Sequence, residues 1–164
     1  RGQMYGEQIF QHFSGQLTAQ VDQVYVRWIV ASDSVAAQEA FDRVKQGQPF
    51  GEVSADLNRD TVFSDSKGLV GWVPEGAFVE LDEFLFPSGD ELLLEEPIGP
   101  IATSLGSVVM VPSAGPRSRS LSPQMAGLLA RRDFQSWLDV QTSKIVQDLE
   151  LPEDAAAWVL DQLQ

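Results

Sequence analysis

Cysteine is absent from this 164-residue chain, histidine occurs once, and 11 basic residues stand against 24 acidic ones, giving a net charge of −13. Without cysteine there are no disulfides and no thiolate chemistry, though the absence does not place the compartment. With His12 alone, neither a Ser-His-Asp nor a Cys-His set can be assembled, and no second His or Cys can join it on a metal. No metal and no cofactor are therefore expected, and His12, beside Gln11 and Ser14, reads as a surface residue. The acidic balance argues against nucleic acid and anionic membrane surfaces as partners. No apolar run approaches the roughly 18 residues that a membrane-spanning helix needs. The chain starts at Arg1 without an initiating Met or a signal peptide, and it reads as a fragment or a processed form.

What is present is a globular composition, 43% hydrophobic, in a length that suits one or two small domains with a real core. Phe10, Phe13 and Leu17 follow helical spacing and predict an amphipathic N-terminal helix over 1–22. Val24, Val26, Trp28 and Val30 alternate along Gln23–Val30 and predict a central strand. Ala31-Ser32-Asp33-Ser34 supplies a turn and an N-cap for a helix that buries Ala37, Ala40, Phe41 and Val44 and stops at Gly47. Phe50, Val53 and Leu57 give the next short helix one apolar face, and 58–67 reads as an irregular polar loop.

Lys67 to Phe78 packs three glycines and a proline around Leu69, Val70, Trp72 and Val73, a tight turn feeding a short core strand. From Gly68 to Pro116 there is no lysine or arginine, while eight acidic residues fall between Glu75 and Glu96, interleaved with Phe78, Phe84 and Phe86. That mixture suits a short helix or lid, either with a solvated acidic face or with a field that attracts basic, unfolded segments. Residues 114–121 read as a linker by composition. Ser122-Pro123 is a helix start, followed by apolar residues at helical spacing through Leu149, with a last helix opening at Pro152.

Four stretches in this order carry a family resemblance: Gln23–Val30, Gly47-Gln48-Pro49-Phe50-Gly51-Glu52-Val53, Gly68-Leu69-Val70-Gly71-Trp72 and Gly99-Pro100-Ile101-Ala102-Thr103. Together they resemble the parvulin-type (PpiC, rotamase) peptidyl-prolyl isomerase domain of bacterial extracytoplasmic foldases of the PrsA/SurA kind, over residues 23–113. Phe134-Gln135-Ser136-Trp137-Leu138 resembles the Phe-x-x-Trp-Leu segment that follows that domain in those foldases. The resemblance implies an α+β fold, an antiparallel sheet with surrounding helices, flanked by a helical module made from 1–22 and 122–164. It also implies an extracytoplasmic location, unfolded or proline-containing polypeptides as partners, and a homodimer through the helical flanks as one assembly.

Prolyl isomerisation crosses a barrier near 18–20 kcal/mol without covalent chemistry. A site assists by excluding water, gripping the ring in an apolar pocket and favouring the twisted amide with hydrogen bonds. Family members are understood to use an apolar wall with two histidines and a Cys or Asp. Carried over, the first histidine position is Trp28 and the second is Val108. The Cys/Asp position falls on Asp60 or Thr61, the wall methionine on Phe78, and the wall phenylalanine on Phe84 or Phe86. Asp60 is thus the candidate catalytic residue, with Trp28, Phe78, Phe84, Phe86 and Val108 as candidate substrate-binding residues. The loop after the first strand has no basic residue, which argues against phosphopeptides. Three readings stay open: a weak isomerase, a non-catalytic module that binds polypeptide in the apolar groove, and a degenerate domain kept for assembly.

Overall fold

The computed structural model describes residues 20–89 and 91–148. The readings for the N-terminal helix with His12, Phe10, Phe13 and Leu17, and for the last helix from Pro152, lie outside the described residues. In chain order the elements are β1 (Gln20–Ala31), α1 (Ser34–Lys45), α2 (Phe50–Leu57), β2 (Leu69–Pro74), α3 (Val79–Leu85), β3 (Ile98–Thr103), β4 (Gly106–Ser120) and α4 (Pro123–Asp148). The strands form one sheet in the order β2-β1-β4-β3, and every neighbouring pair is antiparallel. This is the α+β architecture that the sequence predicts.

Alternation along β1 divides the core into two layers. Ile29 and Ala31, with Val109 and Val111 of β4, face Ala37 and Ala40 of α1 and Phe50 and Val53 of α2. Phe41, Val44 and Leu57 close the edge of that layer while staying partly exposed. Val24, Val26, Trp28 and Val30 point the other way, and all four are buried, as are Val108 and Met110 of β4. Trp28 sits across from Met110, and Val30 across from Val108.

The helix ends follow local chemistry. Asp33 Oδ1 accepts the Ala36 N–H at 2.8 Å and caps α1, and its carboxyl lies below the usual range because that bond favours the ionised form. Gly47, with φ of 91°, ends α1 where an L side chain would be strained. Ser122 Oγ accepts the Met125 N–H at 3.3 Å, so α4 begins with the expected Ser cap and Pro123 as its first residue.

Most of the expected linker at 114–121 is instead the second half of β4, which runs to Ser120. Its Ser, Gly, Pro and Arg content suggests a loop, but β1 starts earlier than the alternation indicates and pairs with it. Gln20 lies opposite Ser120, Val21 opposite Arg119 and Asp22 opposite Ser118. Gln23 is 1% exposed, and its Nε2 donates to the Arg119 carbonyl at 2.8 Å and to that of Ser120 at 3.2 Å. The Arg119 guanidinium lies 4.6 Å from the centre of the Trp72 ring, a cation–π contact. Bulges between Gln23 and Val26 absorb the register change where Gly115-Pro116 enters the ladder. The same pairing makes Gln20–Asp22 strand, where the sequence predicts the end of a helix.

The chain divides into two compact units, Ala19–Met125 and the combination of Arg1–Thr18 with Ala126–Gln164. Within the second, the described part is the body of α4, where Phe134 and Trp137 stack with ring centres 6.2 Å apart. Among the described residues, no helix is long and apolar enough to cross a membrane.

Candidate functional site

The candidate site lies on the Trp28 face of the sheet, and a loop from 58 to 68 brings Asp60 to it. Asn58 ties the loop to β1: its Oδ1 accepts the Val30 N–H at 2.9 Å and the Asp60 N–H at 3.1 Å, and its Nδ2 donates to Ser64 Oγ at 2.9 Å. The Arg59 N–H donates to the Val30 carbonyl at 2.8 Å. At the far end of the loop the Trp28 N–H donates to the Gly68 carbonyl at 2.8 Å. A Cβ on Gly68 would collide with the Trp28 carbonyl oxygen and come within 2.9 Å of the Phe50 ring and Ser54 Oγ. Its φ is also positive, at 76°, so only glycine lets the loop return so close under the strand.

Asp60 accepts three hydrogen bonds, two from its own loop and one from β1. Its Oδ1 accepts the N–H groups of Val62 and Phe63 at 2.9 and 3.1 Å, and its Oδ2 accepts the Trp28 indole N–H at 2.7 Å. Burial pushes the carboxyl upward, but the bonds from Phe63, Trp28, Val62 and Ser64 outweigh it and hold it below the usual carboxylate value. Asp60 is therefore an ionised acceptor whose lone pairs already serve the protein's own donors.

Trp28 is completely buried. Its ring meets Phe78 edge-on at 4.8 Å between centres and Phe63 at 6.2 Å, while Phe63 and Phe78 meet at 5.1 Å. The three rings pack mutually edge-to-face around the buried indole. Sequence reasoning names Trp28, Phe78 and Asp60 and misses Phe63. The signal for it is slight, one aromatic ring in an otherwise polar loop.

The other named residues separate from this cluster. Val108 is buried opposite Val30 as core. Phe84 is half-buried on α3. Phe86 lines a different cleft, of about 300 Å3, with Asp22, Glu75, Leu85, Pro87, Leu92 and Pro116. Thr61, the alternative to Asp60, is exposed and lines two shallow hollows on either side of the loop. One of these, about 320 Å3, is bordered by Val30, Arg59, Asp60, Val62, Phe63 and Leu105. Among the described cavities none is lined by Trp28, Phe78 or Val108. Among the described residues no group of three His, Asp or Glu side chains is placed to hold a metal ion.

No protein-family model matches the chain, and no curated protein matches it in sequence. Solved structures do. The crystal structure of the peptidylprolyl isomerase PrsA from Bacillus anthracis is similar with a TM-score of 0.53 and 15% identity, covering 78% of this chain and 59% of that one. PrsA from Bacillus cereus is similar with a TM-score of 0.50 and 14% identity, covering 88% and 59%. The parvulin of Nitrosopumilus maritimus is also matched, with a TM-score of 0.48 and 20% identity, covering 57% of this chain and 97% of that one. This chain thus spans about three-fifths of the length of the two PrsA structures, and at these identities the likeness is one of fold. With the sheet order, the helices between its strands and those two structures in hand, the chain has the α+β fold of parvulin-type peptidyl-prolyl isomerase domains.

Proposed function

We propose that this chain is a parvulin-like foldase domain that binds unfolded or proline-containing polypeptide and accelerates X-Pro rotation weakly or not at all. The observation that carries the reading is the buried Trp28 indole on Asp60, 2.7 Å from Nε1 to Oδ2. An imidazole both donates and accepts, whereas an indole N–H only donates. With Val108 in the second position, the polar groups that would follow an amide through its twist are gone. The space for a proline ring is taken by Trp28, Phe63 and Phe78. Asp60, read from the sequence as the catalytic candidate, is assigned here to holding the loop and the indole. Polypeptide binding and an extracytoplasmic setting are carried over from the resemblance to PrsA-type foldases; binding needs only exposed apolar surface and no polar catalytic group.

The test is a proline-peptide exchange assay run beside an aggregation assay on an unfolded client. Uncatalysed exchange takes tens to hundreds of seconds, and loss of positioned polar groups lowers rates by about 10²–10⁴-fold. At micromolar protein the exchange rate is expected to stay at the uncatalysed level while client aggregation is suppressed. Clear acceleration, abolished by Asp60→Ala, would return Asp60 to the catalytic role. Failure to suppress aggregation would remove the binding function.

A further inference from the structure

We propose that the cleft beside Phe86 is the client-binding surface, and that it selects extended polypeptide segments carrying a basic side chain among apolar ones. The proposal rests on the polypeptide-binding reading and gives it a place and a preference. Leu85, Phe86, Leu92 and Pro116 make the apolar part of the cleft, and Asp22 and Glu75 are its two carboxylates. Both carboxylates are exposed. The ion pairs among the described residues join Arg27 to Glu95 and Arg43 to Glu39 and Asp56, so neither Asp22 nor Glu75 is neutralised by them.

Among the described residues no cation lines this cleft, and Arg117, next to Pro116 in the chain, is not among its lining residues. Its remaining lining comes from the segment Gly68–Pro116, which has neither lysine nor arginine, and from Asp22. A negative field over an apolar floor suits one kind of side chain. The methylene stem of Lys or Arg lies along Phe86 and Leu92 while its charged head reaches the carboxylates. Neighbouring apolar residues of the same segment complete the contact. The hollow beside Phe63 offers no such complement, since Arg59 is part of its rim and its one carboxylate, Asp60, already accepts three hydrogen bonds.

The probe is a pair of labelled unfolded peptides, one alternating Arg with Leu and one alternating Glu with Leu, titrated against the whole chain by fluorescence anisotropy. The Arg-Leu peptide is expected to bind about tenfold more tightly at low salt, with the difference shrinking as screening shortens to about 8 Å at physiological ionic strength. The double reversal Asp22→Lys with Glu75→Lys should erase or invert that preference without moving the melting temperature, since both side chains are exposed. Phe86→Ala should weaken both peptides. If the Arg-Leu peptide binds and the double reversal leaves its preference intact, the cleft is not the site, while polypeptide binding stands. If neither peptide binds and aggregation is not suppressed, polypeptide binding itself falls.

Discussion

The two faces of the sheet are both covered at its centre, and by different means. On one, α1 and α2 lay Ala37, Ala40, Phe50 and Val53 over Ile29, Ala31, Val109 and Val111, an aliphatic layer with one aromatic ring. On the other, a loop and the start of α3 bring Phe63 and Phe78 onto Trp28, and a hydrogen bond to Asp60 fixes the indole. The first face is an aliphatic core covered by two helices. The second is covered by aromatic rings and a polar loop, with Trp28 completely buried beneath them. The two layers of one fold thus bury their residues with different side chains.

The comparison can be broken most directly at Trp28. If the second face is true core, Trp28→Ala should destabilise by about 3–5 kcal/mol, as much as or more than the ~2–5 kcal/mol of Ile29→Ala on the helical face. Denaturant melts of the two variants make the measurement. A Trp28→Ala protein that keeps its stability and gains affinity for proline peptides would show an occluded site in place of a core. The double substitution Trp28→His with Val108→His belongs to the same test. It introduces polar groups where an unsatisfied one costs about 1–3 kcal/mol, with a smaller ring in place of the indole and a larger side chain in place of Val108, and it is expected to destabilise.

Gly68→Ala comes next. The added methyl group meets the Trp28 carbonyl and demands a positive φ of a residue with a Cβ, a strain of order 1–3 kcal/mol. Because that glycine joins the loop to β2 and lies against the Trp28 backbone and the Phe50 side chain, hydrogen exchange should speed in the 58–68 loop and in β2 together. Exchange that changes in only one of the two would show that the loop and the strand move separately.

Much of this was legible in the residues. The alternation of β1, a helix cap within Ala31–Ser34, the Gly47 stop and the apolar face of α2 each follow from local chemistry, and each is found; the structure gives the cap to Asp33. The end of β4 was not legible, because Gly115, Pro116 and three serines obey loop statistics while pairing with β1 depends on residues nearly a hundred positions away. Trp28 and Asp60 were both named from the sequence, but not as partners: a hydrogen bond across 32 positions exists only once the loop has turned. The neighbours of Phe86, named from the sequence as the alternative to Phe84, were not legible either: the turn after α3 sets it in a cleft with Asp22 and Pro116.

The smallest effect sharpens the contrast. Asp60→Asn keeps an acceptor oxygen for part of the set that Asp60 serves and should cost about 1 kcal/mol. In the unmodified protein, the carboxyl sits below its ordinary value near 3.9. Its contribution to stability is thus complete above about pH 4 and declines as the pH falls below that through the lowered folded value. The indole N–H resonance of Trp28 should shift over that acidic range while amides of the Ile29 face stay unchanged. A Trp28 signal indifferent to acid would mean that the rings hold the indole without Asp60.

The pairing of Gln20 with Ser120 reaches beyond this site. Residues a hundred positions apart are ladder partners where β1 begins and β4 ends, so the polypeptide enters and leaves the sheet side by side. Closing two adjacent strand ends takes a loop of a few residues and little entropy. In genetic terms the segment is a cassette. With its two ends side by side, it fits into a surface loop of another protein without stretching either partner.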